Sequence, residues 1–107
     1  MGLDVLLARE AERDIEDIWR YVAEQDSPEK ADRLLAHLEE LILGLAGLAE
    51  RGNVPKELLA LGIGEFREVH FKPYRVIYRH REGQVTVLCV LDGRRDMQSL
   101  LERRLLR

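Results

Sequence analysis

The chain has 107 residues, 46% of them apolar and 35% charged, with a single cysteine; this fits one domain spanning residues 1–107 whose core needs no crosslinks, and a lone Cys89 excludes an intrachain disulfide and a multi-cysteine metal site. No apolar run approaches the roughly 18 residues of a membrane span, and Met1-Gly2-Leu3-Asp4 lacks a basic, signal-like start, so a cytoplasmic protein with no membrane partner is expected. The net charge of −3 is unevenly spread: residues 1–53 carry 13 acidic and 6 basic side chains, residues 54–107 carry 7 and 11, which points either to an anionic partner for the basic half or to mutual neutralisation of the halves within one fold.

Leu3, Val5 and Leu7 alternate with Asp4 and Leu6, the pattern of a short strand beside a later one at a sheet edge. Ala11, Ile15, Ile18, Trp19 and Val22 then fall on one stripe of an amphipathic helix, with Glu12, Asp14, Glu16, Asp17 and Arg20 opposite. Asp26-Ser27-Pro28 ends it. Ser27 is suited to cap the next helix, and Pro28 fits its first position, where a missing N–H costs nothing. Ala31, Leu34, Leu35, Leu38, Leu41, Ile42, Leu45 and Leu48 keep the 3.6 period. Gly44 and Gly47 weaken the last turns by about 1 kcal/mol each relative to Ala, and Arg51-Gly52-Asn53 stops the helix. Two such helices joined by a short turn form an antiparallel hairpin.

Pro55–Leu61 reads as one or two helical turns with Gly62 as their C-terminal cap. The period then becomes two. Phe66–Phe71, Tyr74–Arg81 and Gln84–Leu91 are rich in β-branched and aromatic residues, separated by Lys72-Pro73 and by Glu82-Gly83, a hairpin turn. Strict alternation places Val85, Val87, Cys89 and Leu91 on one face of the last strand and Leu88 and Val90 on the other, so that strand is central and buried on both sides. After Asp92-Gly93-Arg94-Arg95, Asp96 caps a short helix carrying Met97, Leu100, Leu101 and Leu105. The order β-α-α-β-β-β-short α defines an α+β domain: an N-terminal strand and an antiparallel helical hairpin packed on an antiparallel sheet.

In this order and length the sequence resembles the RelE/ParE superfamily of type II toxin–antitoxin toxins, the ParE-like members more than the RelE-like ones. The likeness lies in the hairpin AERDIEDIWRYVAEQDSPEKADRLLAHLEE (Ala11–Glu40) and in FREVHFKPYRVIYRHREGQVTVLCVLDGRRD (Phe66–Asp96), where YRVIYR and VLDGRRD match the family's central strand and final turn. The resemblance implies a growth-inhibiting toxin neutralised by a cognate antitoxin, with operator DNA contacted only through that antitoxin, and no cofactor. ParE-like members inhibit DNA gyrase by binding. RelE-like members cleave mRNA on the ribosome.

Metal-free RNA cleavage needs a base for the 2′-OH, cations around the phosphorane and an acid for the leaving oxygen. By resemblance the alternative catalytic set is Arg67, His70, Arg75 and Arg95, with Arg75 and Arg95 matching the family's basic positions. The family's C-terminal Tyr or His falls near Leu101, which has no such chemistry, and Arg stays protonated near pH 7. That leaves His70 as the one base. The missing base favours the binding mode, with no catalytic residue. Its target surface is expected to include Arg75, Arg79 and Arg81 on one strand face, then Arg94, Arg95, Arg103, Arg104 and Arg107. Trp19, Tyr21, Tyr74, Tyr78, His37, His80 and Cys89 read as structural, and Leu101, Leu105 and Leu106 as apolar surface for the antitoxin, alongside the hairpin.

Overall fold

A computed structural model describes residues 2–106; Arg107 lies outside the described residues. Strand β1 (Asp4–Leu7) leads into helix α1 (Arg9–Gln25) and then α2 (Pro28–Leu43). The Ser27 hydroxyl accepts from the Lys30 N–H at 3.1 Å, and Pro28 occupies the first helical turn. The Trp19 indole N–H donates to Asp32 at 2.9 Å, tying the two helices together near their turn. The 3.6 period predicts one helix as far as Leu48. Instead Gly44 separates α2 from a single further turn, α3 (Leu45–Leu48), at the glycine-weakened stretch. The turn α4 (Lys56–Leu59) follows, and Gly62 stands at φ 77°, the left-handed conformation that glycine adopts without steric cost.

Strands β2 (Arg67–Phe71), β3 (Tyr74–Arg81) and β4 (Gln84–Asp92) form the expected antiparallel meander, and α5 (Met97–Leu105) closes the chain. At the β3–β4 turn Glu82 and Gly83 both take positive φ, 53° and 78°, the pair a tight two-residue hairpin requires. β1 adds parallel to β4, giving the order β1-β4-β3-β2. The sheet is therefore mixed, with an antiparallel meander and one parallel edge. The intervening hairpin supplies the long crossover that a parallel pair needs.

β4 is the central strand that reads as buried on both sides, but its faces are not those of strict alternation. Ile77 pairs with Cys89 while Tyr78 pairs with Val87, so Leu88 is an extra residue in a β-bulge. A bulge shifts the side-chain phase by one. Val85, Val87 and Val90 consequently join Tyr74, Val76 and Tyr78 under the hairpin, in a core with Ala11, Leu38 and Ile42. Leu88, Cys89 and Leu91 turn to the opposite face and pack with Ile77, Leu58, Met97, Leu100 and Leu101 beneath α4 and α5. The molecule thus has helices on both faces of the sheet. Leu101, expected as docking surface, is fully buried in this second core.

One buried hydroxyl ties the hairpin's end to the sheet. Tyr78 donates to the Ala49 carbonyl at 2.5 Å and accepts from the Gly52 N–H at 3.2 Å. A Cβ at Gly52 would stand 2.5 Å from that hydroxyl and 2.6 Å from the Glu68 carbonyl, so only glycine fits. Tyr78→Phe leaves a buried donor and acceptor unpaired and is expected to lower unfolding free energy by about 1–3 kcal/mol, read by urea denaturation with an unchanged far-ultraviolet dichroism spectrum.

Candidate functional site

Alternation along β3 sends Tyr74, Val76 and Tyr78 toward the hairpin and Arg75 to the other face beside Ile77. Arg75 does not emerge into solvent there. Its two terminal nitrogens donate to the Glu57 carboxylate of α4, at 3.0 and 2.8 Å, and its Nε donates to Glu68 of β2 at 2.6 Å. The Arg75, Glu57 and Glu68 side chains are only 12%, 11% and 4% exposed. A guanidinium in a two-pronged bond to one carboxylate and a third bond to another is held in place by three of its five N–H groups. Both carboxylates strengthen its hold on its proton, so it is a fixed cation.

A cleft of about 280 Å³ opens beside this cluster, lined by Asn53, Lys56, Glu68, His70 and Arg75. His70 Nε2 lies 3.4 Å from the Glu68 Oε1 that Arg75 also uses, and Asn53 donates to the other Glu68 oxygen at 3.0 Å. His70, Glu68 and Arg75 therefore form one continuous polar cluster. The other two members of the alternative catalytic set stand elsewhere. Arg67 donates to the Gly52 carbonyl at 2.8 Å and pairs with Glu50 at 3.2 Å, clamping the loop before α4. Arg95 lines a second cleft, of about 460 Å³, among Asp14, Asp17, Tyr21, Tyr74 and Asp92. Arg75 and Arg95 are brought into different clefts. Burial pushes the Tyr74 and Tyr78 phenols above their usual value of 10 and the Cys89 thiol up to about 12, so none of the three supplies a base near neutral pH.

The remaining arginines divide by exposure. Arg79 and Arg81 share Glu65 at 3.8 and 3.4 Å, exposed pairs of small energetic weight. Arg94 closes on Asp92 within its own turn: backbone and side chain both bond the carboxylate, at 2.7 to 3.0 Å, and hold it below the ordinary carboxylate range. Arg103 is exposed in the last turn of α5. Arg104, by contrast, is turned inward and takes Glu10 at 2.9 Å and Asp14 at 2.8 Å. Asp14 also accepts the Val90 N–H at 3.0 Å. β1 stops opposite Val87, so on that side β4 has no strand neighbour at Val90, and a helix carboxylate satisfies the backbone group instead. His80 pairs with Glu50 at 3.1 Å, and His37 stacks on Phe71 with ring centroids 4.8 Å apart. Among the described residues no group of His, Cys, Asp and Glu is arranged to hold a metal ion, and no helix is long and apolar enough to cross a membrane.

Glu57, Glu68 and Asp14 were not singled out by sequence reading as partners of arginine. A signal for Glu68 exists: it falls on the same strand face as Phe66, the side that packs inward, where a carboxylate needs a cation. Glu57 has no such signal, because a single helical turn has no period to orient it.

Two expected outcomes follow from the Arg75 cluster. Arg75→Met strands two buried carboxylates and lowers stability by about 3–5 kcal/mol, read by denaturant unfolding at pH 7. The Arg75 hydrogen bond holds the Glu57 carboxyl below its ordinary 4.5. The folded state thus binds fewer protons than the unfolded one, and the contribution is complete above pH 4.5 and lost as pH falls through the lowered value. The parent protein is expected to lose stability between pH 5 and pH 3 more steeply than Glu57→Gln, which has no proton to take up there.

A family described as the ParE toxin of the type II toxin–antitoxin system parDE matches residues 5–97. Among solved structures the chain is similar to one from a chromosomal ParDE system of P. aeruginosa, with 18% identity over 83% of this chain and 94% of that one, at a TM-score of 0.70. It is also similar to a chain of the RelBE2 toxin–antitoxin complex of Mycobacterium tuberculosis, with 20% identity over 84% and 96% of the two chains and a TM-score of 0.62. At these identities the likeness is one of fold. No curated protein matches at a significant level.

Proposed function

Since the chain belongs to the ParE toxin family of type II toxin–antitoxin systems, we propose that it inhibits growth in the cytoplasm by binding and poisoning DNA gyrase, and that a cognate antitoxin neutralises it. The observation that carries binding over catalysis is the state of Arg75. A phosphate-gripping arginine must offer its donors to the phosphorane, and here three of the five N–H groups, the Nε one and one on each terminal nitrogen, are held by Glu57 and Glu68. The Arg75 cation is balanced by its two carboxylates, which leaves the exposed Lys56 as the accessible cation of that cleft.

The target surface on this reading is the turn and helix end that still present accessible cations: Arg94 and Arg95 between β4 and α5, and Arg103 on α5, flanked by the cleft that holds Tyr21. Tyr21 is 64% exposed, and Tyr and Arg are both among the residues enriched at interface hot spots. Arg79 and Arg81 form a second exposed patch on the far strand end. Arg75 and Arg104 support the scaffold.

A ribosome-dependent endoribonuclease is the alternative, favoured by one observation: His70 and Glu68 stand side by side at an open cleft, the residue types of a general acid–base pair. Against it, Arg95 lines a different cleft, and the phosphate cation beside His70 is already neutralised.

Induction without antitoxin is expected to produce chromosome breaks and filamentous cells with intact transcripts. The purified protein is expected to trap gyrase–DNA cleavage complexes. Arg94→Gln combined with Arg95→Gln, both on the exposed turn, should reduce trapping about tenfold or more, as loss of interface charges does, with the far-ultraviolet dichroism spectrum unchanged. Cut mRNA on ribosomes with an intact chromosome would replace this reading by the ribonuclease one. Harmless induction would remove both.

A further inference from the structure

β3 outruns its neighbour β2. Their pairing ends with Arg67 opposite Tyr78, while β3 continues to Arg81. Glu68 turns its backbone N–H and C=O away from β3, exchanging bonds of 2.7 and 3.2 Å with Asn53. Alternation therefore turns the backbone groups of Tyr78, and two residues further on those of His80, toward the β2 side. No strand stands there; Gly64 and Glu65 do. Among the described residues no backbone group pairs with the His80 N–H on that side.

The overhang is one wall of a cleft of about 240 Å³, lined by Glu50, Glu65, Arg67, Arg79, His80 and Arg81. Three arginines meet two glutamates there, a surplus of cation even without a charge on His80. Arg67 is engaged by the Gly52 carbonyl and Glu50, and His80 by Glu50. Arg79 and Arg81 are held far more loosely. Both lean on one oxygen of Glu65, and of the five N–H groups on each guanidinium a single one, on Arg81, reaches hydrogen-bond distance, at 3.4 Å. The Glu65 side chain is itself 52% exposed, so little holds it in place. This is the reverse of Arg75. A carboxylate oxygen set loosely between two guanidiniums stands where a phosphate oxygen would take stronger, two-pronged bonds. Arg79 and Arg81 leave one strand face two residues apart, about 7 Å at the usual rise. That separation is close to the spacing of successive phosphates on a nucleic-acid strand.

We propose that this cleft grips the phosphodiester backbone of DNA: Arg79 and Arg81 each take a phosphate, the Glu65 carboxylate swings out, and the His80 N–H donates to a phosphate oxygen. Contacts of this kind fix position and carry no sequence information, so the binding is indifferent to base order. The arginine spacing suits a polymer of repeated phosphates better than a single one, and free phosphate is the competing occupant. Arg94 and Arg95 follow the opposite end of β4 from this cleft. One end of the sheet would thus rest on gyrase and the other on the DNA that gyrase holds; for that source of DNA, though not for the chemistry of the cleft, the inference rests on the gyrase reading.

The test uses the isolated full chain with two probes, a short fluorescent DNA duplex of mixed sequence and inorganic phosphate. On titration with the duplex, amide signals are expected to move at Gly64, Glu65 and Arg79–Arg81. The logarithm of the binding constant should fall against the logarithm of salt concentration with a slope of about 2, one for each arginine, and should not change when the base order is scrambled. Arg79→Gln and Arg81→Gln should each weaken binding severalfold and lower that slope by about 1. Glu65→Gln removes the competing carboxylate and should tighten binding severalfold; at an exposed position, it keeps the test open if an arginine variant does not fold. Absence of duplex binding, binding indifferent to these three variants, or binding that depends on Arg94 and Arg95 instead would overturn the proposal. So would inorganic phosphate that moves the same amides and binds as tightly as the duplex, which would leave a small-anion site in its place. The titration contains no gyrase, so failure of the trapping and growth assays is read separately.

Discussion

A single guanidinium, Arg75, joins three parts of this protein: β3, its neighbour β2 and the short helix α4. It leaves the middle of β3, takes Glu68 from the neighbouring strand and is clasped by Glu57 from the one-turn α4. A four-residue helix has no intrinsic stability in water. α4 keeps its place because Leu58 enters the second core and Glu57 is fastened to the sheet. The stem of Arg75 passes so close to Gly93 that a Cβ there would stand 2.8 Å from its Cδ. The same residue thereby requires glycine in the turn that carries Arg94 and Arg95. A position that by resemblance reads as target-gripping serves as the scaffold on which the exposed basic turn is mounted.

Charge distribution along the chain has the same resolution. The acidic first half and the basic second half read equally well as an anion-seeking surface or as two parts that neutralise each other. The structure shows neutralisation between the halves: Glu10 and Asp14 take Arg104, and Glu50 takes Arg67. What survives as accessible charge is smaller and more local than the sequence total suggests. It includes a basic turn at one end of the sheet and an acidic rim beside the β1 edge. Each of these faces a cleft, and the two clefts lie on either side of α1.

Most of the fold was legible because its signals are periodic. Ser27 and Pro28 mark the hairpin turn, Glu82 and Gly83 mark the strand turn, and the switch from a period of 3.6 to a period of two marks the boundary between hairpin and meander. What was not legible depends on single residues without a period. The bulge at Leu88 inverts the faces of Cys89, Val90 and Leu91, and nothing in an unbroken run of apolar residues announces it. The position of α5 was equally hidden. Its amphipathic stripe requires an apolar surface to cover but does not say which, so Leu101 reads as a free patch when it is core. The site was less legible still. Of the alternative catalytic residues, Arg75 and His70 come together while Arg67 and Arg95 do not, and the carboxylates that decide what Arg75 can do lie 18 and 7 positions away.

The shortness of β1 connects these features. Because the strand ends opposite Val87, β4 runs on past its neighbour, and Val90 must find another acceptor. Asp14 supplies it from α1, and the buried carboxylate is balanced by Arg104 from α5. The helix on one face of the sheet is thereby linked to the helix on the other around the end of a strand. A longer β1 would make Asp14 redundant and leave Arg104 to seek another anion. It would also shift the Tyr21 cleft, which lies against the part of β4 that β1 leaves bare. The four-residue length thus does two things: it leaves the outward groups of Val5 and Leu7 at an open sheet edge, and it opens the far end of β4 for the aromatic and arginine side chains of the Tyr21 cleft. Both features are consequences of where one strand stops.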